Sequence, residues 1–501
     1  MPLETLLRPG DLIGGHFVRP KTADAVIEKR SPADTSDLVS VHDVSLNHVD
    51  AAIAAARRAL PTLQSMSHDA RVALLRRYQD RLRVHEQSIA ECIAREVGKP
   101  LWDALAEARA MAGKVDLVVG PGTSWTRKRT VNELPGEIRY RPLGVLAVLG
   151  PFNFPGHLPN GQILPALLLG NTVVFKPSDK APSTATWMAK AFIEAGLPEG
   201  ALNIVQGGRE TAERLVEHDE IDGILFTGSL EVGRSIVQAN AHRPGRLVAL
   251  ELGGKNAAIV LDDADIERAV RQIAFAGFAT SGQRCTATSR VYVTPKVADA
   301  FIGRLAEATR AAVVGYPLDP GVFMGPLISD EARRRLHRAT DSARAAGFEV
   351  LVEGGDYDVE HRLGYYARPS LHLASRADLQ VDGYTDEELF GPDIALYVVD
   401  DLAQAVALTN RSRFGLAAAV FTSSHISFER AAAELRVGVL HWNRSSAGAS
   451  GKLPFGGIGD SGNHHAAGVM AGQFCSYPQA VLLRPTERTL PTWPGLFDGG
   501  D

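Results

Sequence analysis

The sequence predicts an α/β protein: a doubly wound parallel sheet, a second α/β region and a small antiparallel arm. From residue 143 onward, short apolar runs alternate with helical patterns, and these runs are residues 145–149, 172–175, 203–205 and 224–226. Strands that alternate with helices favour a parallel sheet. A second alternating series begins near residue 291. Outside both series, residues 125–140 alternate polar with apolar side chains, and residues 479–483 are typical of an exposed strand. Together, these last two segments predict the antiparallel arm.

The region before the first strand series is predicted to be helical. Apolar residues recur at helical spacing in residues 49–56, 72–97 and 102–119. Cys92 lies among the apolar positions of the second helix and is predicted to be in the core. Parallel sheets bind ligands beyond the carboxyl ends of their strands. We therefore expect the turns after the four apolar runs to gather around a ligand.

Composition and charge exclude several classes of protein. At 501 residues the chain is long enough for at least two domains. Its hydrophobic fraction of 45% and net charge of −5 are ordinary for a soluble protein and give no reason to expect nucleic acid or a membrane surface as a partner. We expect no signal peptide and no membrane span. The three cysteines predict a reducing compartment, so we expect a cytoplasmic protein.

Cys285 is the strongest candidate for a reactive group. It follows the end of a predicted helix in a loop of small and polar residues, 281–286. A structural cysteine more often lies on an apolar face of a regular element. Glu251 ends a short strand upstream and is followed by Gly253 and Gly254. A thiol nucleophile and a carboxylate that later activates water would form a catalytic pair, although the sequence alone leaves a buried thiol and a solvated carboxylate open.

With these residues in view, the chain resembles the aldehyde dehydrogenase superfamily over nearly its whole length. Seven motifs carry the resemblance in the family's order and spacing: Gly150-Pro-Phe-Asn-Phe-Pro155, Phe175-Lys-Pro-Ser178, Phe226-Thr-Gly-Ser-Leu-Glu-Val-Gly233, Glu251-Leu-Gly-Gly254, Gly282-Gln-Arg-Cys285, Glu388-Leu-Phe-Gly-Pro392 and Pro454-Phe-Gly-Gly457.

The resemblance implies three functional parts. Residues 1–122 and 143–252 would bind NAD, and residues 253–465 would form the catalytic domain. Residues 123–142 and 466–501 would form an oligomerisation arm with a C-terminal segment, in a homodimer or homotetramer. An uncovered strand edge tends to recruit a partner chain.

The resemblance also implies the catalytic roles. Cys285 would attack an aldehyde carbonyl to give a thiohemiacetal. The Asn153 side-chain amide and the Cys285 backbone N–H would stabilise the developing oxyanion. Glu251 would activate the water that hydrolyses the thioester. From the residues alone, without the other motifs, Asn153 is better explained as a turn residue between two aromatic side chains.

The expected cofactor is NAD. Its residues, by resemblance, are Gly150, Pro151, Phe152, Lys176, Ser178, Asp179, Gly207, Gly228, Ser229, Leu230, Glu231, Val232, Gly233, Leu252, Glu388 and Phe390. Gly228 and Gly233 open a helix after a strand, where backbone N–H groups can hold a pyrophosphate, but a bare helix start has the same pattern. Many relatives have Glu where this chain has Asp179, and the carboxylate there disfavours a 2′-phosphate. We therefore expect NAD rather than NADP.

The small-molecule substrate is predicted to be a polar or long aldehyde. Residues 154–161 lack the bulky wall of members that act on small apolar aldehydes. This segment and residues 456–464 resemble members that oxidise a semialdehyde bearing carboxylates, which require basic partners. The candidates for binding the substrate are His157, Arg284, Arg444 and Phe455.

Two other interpretations stay open from the sequence. The chain could oxidise another polar aldehyde or a broad range of aldehydes, or it could be a binding or structural relative that has lost catalysis. Retention of Cys285, Glu251, Asn153 and Lys176 favours an enzyme. The adjacent His464 and His465 are too few for a metal site, and no metal is predicted.

Overall fold

The structure is a computed structural model that describes residues 7–131, 135–483 and Trp493. Within those residues, helices pack around two seven-stranded sheets. The helices are α1 (Leu46–Ser65), α2 (His68–Val84), α3 (Glu86–Val97), α4 (Leu101–Val119), α5 (His157–Leu169), α6 (Ser183–Glu194), α7 (Arg209–Glu217), α8 (Leu230–Asn240), α9 (Ile266–Phe278), α10 (Pro295–Arg310), α11 (Asp330–Ala345), α12 (Leu402–Asn410), α13 (His425–Glu434) and α14 (Ala471–Phe474).

The strands follow the predicted alternation with helices. They are β1 (Asp11–Ile13), β2 (His16–Val18), β3 (Ala25–Ser31), β4 (Asp34–Val44), β5 (Arg129–Val131), β6 (Gly136–Pro142), β7 (Val145–Leu149), β8 (Thr172–Lys176), β9 (Leu202–Ile204), β10 (Gly223–Thr227), β11 (Leu247–Glu251), β12 (Asn256–Val260), β13 (Thr288–Val293), β14 (Phe348–Val352), β15 (Gly355–Asp356), β16 (Ala367–Arg368), β17 (Ser370–Ala374), β18 (Asp393–Val398), β19 (Phe414–Gly415), β20 (Ala417–Phe421), β21 (Val439–Trp442), β22 (Pro454–Phe455), β23 (Ile458–Gly459), β24 (Ala467–Gly468) and β25 (Ser476–Leu482).

The first sheet has the order β11-β10-β7-β8-β9-β1-β2. The five strands from β11 to β9 in this order pair in parallel, and β1 pairs with β9 in the antiparallel sense. The strands β7, β8 and β10 are buried along their whole length, as expected for a sheet covered by helices on both faces. The predicted parallel α/β fold is confirmed.

The second sheet has the order β14-β17-β18-β13-β12-β20-β21. All of its pairs are parallel except the one between β14 and β17. The chain passes from one sheet to the other between β11 and β12. Glu251, at the end of β11, therefore lies at the crossing between the sheets.

The two segments predicted as an arm do pair with each other. β6 is the middle strand of an antiparallel sheet, with β25 on one side and β5 on the other. Tyr477 and Leu482 of β25 are exposed. Residues 132–134, 484–492 and 494–501 of the predicted arm and C-terminal segment lie outside the described residues.

The helical region differs from its prediction in one place. Residues 72–97 were expected to form one helix, but α2 ends at Val84 and α3 begins at Glu86. His85 separates them with φ −98° and ψ 8°, outside the helical range, and its imidazole hydrogen-bonds to Glu194. Cys92 is only half-buried, whereas Cys475 is fully buried.

Among the described residues, no helix has the length and apolar character needed to cross a membrane. The same part of the chain contains no group of three or more His, Cys, Asp or Glu side chains placed to hold a metal ion.

Candidate active site

Cys285 lies on a loop with an unusual backbone. Helix α9 leads into a short 3₁₀ turn, Ala279–Gly282, in which Thr280, Ser281 and Gly282 all have positive φ, between 56° and 69°. Thr280 and Ser281 lack the freedom of glycine, so this conformation stores strain that surrounding contacts must hold. Two such contacts are the hydrogen bonds from the Thr280 hydroxyl to Asp103 (2.6 Å) and from the Ser281 hydroxyl to the Gly325 carbonyl (2.7 Å).

Gly282 is required by a close backbone approach. A Cβ at this position would overlap the carbonyl of Gly391, which belongs to the Glu388–Pro392 motif. The loop that carries Cys285 therefore lies directly against a segment that the sequence predicted to contact the cofactor.

Two polar side chains fix the backbone on either side of Cys285. The Gln283 amide bonds to three backbone groups, Thr280 O, Pro326 O and Ile328 N. The Asn256 amide donates to the carbonyls of Cys285 (2.7 Å) and Ala287 (2.9 Å). Sequence reasoning missed both roles, because each joins segments far apart in the chain.

The environment of the Cys285 thiol disfavours the thiolate. Burial raises its pKa most, and the carboxylates of Glu251 and Glu388 raise it further. A hydrogen bond from the Thr286 N–H and the charge of Arg284 oppose this shift. The thiol is therefore held mainly in its neutral form until the surroundings change.

Glu251 is a buried carboxylate with no ion-pair or hydrogen-bond partner among the described residues. It is 2% exposed, and neither of its oxygens has a hydrogen-bond partner among the described residues. Burial raises its pKa well above the ordinary value. The alternative of a solvated carboxylate is therefore wrong. A buried acid with a raised pKa beside a thiol is suited to proton transfer.

The backbone around Glu251 is held by a segment near the C-terminus. The Asn463 side chain accepts a hydrogen bond from the Leu250 N–H (2.7 Å) and donates to the Val248 carbonyl. Gly462 forms a bridge with Glu251, and a side chain there would strike the Leu250 carbonyl. Asn463 thereby substitutes for a neighbouring strand at the edge of the first sheet.

Asn153 lies between the two sheets. Its side-chain N–H donates to the Gln283 carbonyl (2.9 Å), and its oxygen accepts from the Phe154 N–H. The residue is 3% exposed. These bonds orient the amide toward the nucleophile loop and leave its second N–H without a protein acceptor among the described residues.

The predicted cofactor residues gather at the ends of β7, β8 and β10. The Gly150 N–H donates to the Lys176 carbonyl, and a side chain at Gly150 would strike Pro159 and Phe175. The Lys176 ammonium donates to the carbonyls of Pro177 (2.7 Å) and Gly207 (2.8 Å), and burial lowers its pKa to about 8.

The start of α8 has the form predicted for a pyrophosphate site. Ser229 is the N-cap residue, and its hydroxyl accepts from the Val232 N–H. Gly228 and Gly233 allow close packing, because a Cβ would strike the Phe226 ring at the first and Leu252 at the second. Val232 is exposed at 42% although it is apolar. The first-turn N–H groups of a helix lack intrahelical partners and favour an anion.

Ser178 and Asp179 lie at the rim of the same region. The Ser178 hydroxyl accepts from the Lys180 N–H and lies 3.5 Å from Asp179 Oδ1. The Lys180 ammonium lies 5.8 Å from the centre of the Phe152 ring.

Glu388 lies against the Glu251–Gly254 motif. It accepts a hydrogen bond from the Gly254 N–H (3.1 Å), and a side chain at Gly253 would overlap its carboxylate. Burial raises the pKa of Glu388 to about 7. Phe390 has a positive φ of 53°, and its ring meets the edge of Phe152 at 5.7 Å. Glu388 and Phe390 thus lie next to both the nucleophile loop and the Gly150–Phe152 turn.

The four candidates for binding the substrate have different surroundings. Arg284 is ion-paired with Asp103 (2.9 Å) and also donates a hydrogen bond to Thr280, which favours a structural role.

The other three candidates make no such ion pair within the described part of the chain. Burial and two nearby ammonium groups lower the pKa of His157 far below its usual value, so the ring is neutral at pH 7. Arg444 is exposed, and Phe455 is half-buried in β22.

A thiol and a buried acid lie together where the chain passes between the two sheets of an α/β fold. Residues 17–481 match the model of the aldehyde dehydrogenase family, and the chain belongs to that family. It is therefore an oxidoreductase that acts on aldehydes.

Individual relatives agree with this assignment. The chain is 40% identical to the N-succinylglutamate 5-semialdehyde dehydrogenase of Chromobacterium violaceum over 458 residues, which cover 91% of this chain and 93% of the relative. It resembles the crystal structure of an NAD-dependent aldehyde dehydrogenase from Sinorhizobium meliloti with a TM-score of 0.91, 29% identity and 97% of each chain covered. It also resembles an NADP-dependent glyceraldehyde-3-phosphate dehydrogenase from Bacillus halodurans with a TM-score of 0.86, 30% identity and coverage of 95% and 98%.

Proposed function

We propose that this enzyme oxidises N-succinyl-L-glutamate 5-semialdehyde to N-succinyl-L-glutamate with NAD, a step of arginine catabolism. The observation that carries the chemistry is the partnerless, buried carboxylate of Glu251 beside the Cys285 thiol. The substrate is supported by the 40% identical relative and by the polar character of residues 154–161.

Cys285 begins the reaction by losing its thiol proton to solvent and adding its sulfur, as the thiolate, to the aldehyde carbon; the carbonyl π electrons move onto the oxygen. The free N–H of the Asn153 amide and the Cys285 N–H stabilise the oxyanion that forms. The Asn256 and Gln283 contacts keep the loop in position, so the donors are already placed when charge develops.

The residues that would hold NAD fit a dinucleotide. The first turn of α8 would hold the pyrophosphate, and Lys176 and Asp179 would offer a donor and an acceptor to ribose hydroxyls. Glu388 and Phe390 border the Cys285 loop and would contact the nicotinamide ribose and ring. When bound there, NAD would supply the hydride acceptor that oxidation of the Cys285 adduct requires. Asp179 supports NAD over NADP, because a carboxylate repels a 2′-phosphate.

Glu251 completes the reaction by removing a proton from the water that hydrolyses the thioester. Its raised pKa makes it a stronger base than an exposed carboxylate once it is ionised. Cys285 is then released, and the carboxylic acid leaves.

We further propose a homodimer or homotetramer in the cytoplasm, with residues 123–142 and 466–501 as the assembly arm, residues 1–122 and 143–252 as the cofactor domain and residues 253–465 as the catalytic domain. The exposed apolar side chains of β25 support assembly. Three unpaired cysteines support a reducing compartment.

The test is steady-state turnover with a panel of aldehydes, monitored as reduced cofactor. The semialdehyde should exceed acetaldehyde and benzaldehyde in kcat/KM by about a hundredfold or more, because recognised polar groups discriminate strongly. NAD should be preferred to NADP. Equal kcat/KM across the panel would remove the substrate assignment, and equal use of NADP would remove the cofactor assignment.

A further inference from the structure

Lys114 is a buried cation with no partner. It lies in α4, is 8% exposed, and has no hydrogen bond or ion pair within the described part of the chain. Burial lowers its pKa to about 8, so the ammonium is still mostly charged at pH 7. An unpaired buried charge is costly to a folded protein.

The neighbours of Lys114 belong to the two segments that sequence reasoning assigned to substrate selection. A Cβ built on Gly161 would lie 3.7 Å from the Lys114 ammonium, and one built on Gly451 would lie 3.8 Å from it. Gly161 closes the 154–161 segment, and Gly451 lies in the loop before Phe455. The absence of side chains at both positions leaves room beside the ammonium.

A shallow crevice also opens beside Lys114. It lies between α4, α5 and residues 468–472, and its walls are largely apolar. Among the described residues that line it, Lys114 is the single charged side chain. A ligand that enters this crevice meets one fixed positive charge.

We infer that Lys114 binds the distal carboxylate of the substrate, the one on the succinyl group. This inference rests on the proposed function. In the extended substrate this carboxylate lies eight bonds from the aldehyde carbon, roughly 10 Å. Glu107 of α4 accepts the N–H groups of Gly156 and His157 at the start of α5, and Lys114 follows about two helical turns later, roughly 10 Å along α4. The length of the succinyl arm therefore matches the spacing along α4 between Glu107, at the start of α5, and Lys114.

The other cations are less suitable for this role. The charge of Arg284 is compensated by Asp103, and that of Lys99 by Glu107 at 2.6 Å. His157 is neutral at pH 7 because its pKa is depressed by burial and by the two lysines near it. Arg444 and Lys452 are exposed, so water weakens any bond they make with a carboxylate.

The test compares the wild-type enzyme with Lys114→Met, using Lys452→Met as the matched control in the adjacent loop. Three substrates are needed: N-succinylglutamate 5-semialdehyde, its N-acetyl analogue without the distal carboxylate, and hexanal. Lys114→Met should raise KM for the succinyl substrate about ten- to a hundredfold, as expected for a lost hydrogen bond to a charged group. Its kcat and its KM for the other two substrates should stay within about twofold of wild type, since Lys114 takes no part in the chemistry.

A second measurement does not depend on turnover. N-succinylglutamate should raise the Tm of the wild type and of Lys452→Met, but not of Lys114→Met. The unliganded Lys114→Met protein should melt at or above the wild-type Tm, because an uncompensated charge has been replaced by an apolar side chain of similar length.

The outcomes separate the two claims. A wild type that does not prefer the succinyl substrate over hexanal overturns the proposed function and this inference together. A wild type with that preference, and a Lys114→Met variant with an unchanged KM, overturns the inference alone. An equal rise in KM for the N-acetyl analogue also overturns it, because the effect would then not concern the distal carboxylate.

Discussion

Two groups of buried charges lie around the candidate active site, and only one group is compensated by opposite charges. In the first group, Arg284 is paired with Asp103, and Lys99 is paired with Glu107. In the second group, Glu251 beside the Cys285 thiol and Lys114 beside Gly161 have no hydrogen-bond or ion-pair partner among the described residues. The paired charges hold α4, α5 and the loop together. The unpaired charges weaken the fold, and their retention is explained by the groups they are expected to meet during the reaction.

The largest effect should come from Cys285→Ala. Aldehyde oxidation should fall by about 10⁴-fold or more, because without the sulfur no covalent intermediate forms. The Tm should change little, since Asn256 and Gln283 hold the loop through the backbone. Steady-state rates and a melting curve test this. If Cys285→Ala retained a rate near that of the wild type, a group other than Cys285 would have to attack the aldehyde.

Glu251→Gln should lower kcat by about 10²–10⁴-fold, the range for loss of a general base. A burst of reduced cofactor followed by a slow phase would place the defect in thioester hydrolysis. If the variant shows no burst, the slow step comes before or at hydride transfer. That result would contradict the role of Glu251 in thioester hydrolysis.

Glu251→Gln should also raise the Tm of the protein. The next variant, Glu107→Gln, should have the opposite effect on stability. The folded pKa of Glu251 lies above its unfolded value, so the stability that this group contributes is present below the unfolded pKa and is lost as pH rises through the folded pKa. The gain in Tm of Glu251→Gln should therefore be larger at pH 8 than at pH 5.

Glu107→Gln should instead destabilise the protein by about 3–5 kcal/mol, because it leaves the Lys99 ammonium buried without its partner. Urea unfolding of the two variants side by side measures the contrast. Equal losses of stability in both would show that Glu251 is compensated in solution.

The smallest expected effect concerns thiol reactivity. The Cys285 pKa is raised first by burial and then by Glu251 and Glu388, so Glu251→Gln should lower it and shift iodoacetamide labelling to lower pH, with a few-fold faster reaction at pH 8. Slower labelling in the variant would mean that Glu251 takes the thiol proton directly. Cys92 and Cys475 should label in the variant as in the wild type.

The sequence predicted most of the fold, because local patterns define strands and helices. The runs at 145–149, 172–175 and 224–226 became buried parallel strands, and the segment at 479–483 became part of β25. The break at His85 was missed because apolar spacing continues across it. Asn256, Asn463 and Lys114 were also missed, since their contacts join segments that no local pattern connects. Arg284 looked like a free cation beside the nucleophile, but its partner Asp103 lies far away in the chain.

The contact between Gly282 and the Gly391 carbonyl has a consequence for engineering the enzyme. The backbone atoms of Gly282 and Gly391 are in direct contact. A shift of the Cys285 loop would therefore displace the Glu388–Phe390 segment, and a shift of that segment would displace the loop. Substitutions at residues 388–390 should therefore shift the Cys285 loop and alter the catalytic rate. Library designs that vary these residues together with 280–283 are better suited to this enzyme than designs that vary them separately.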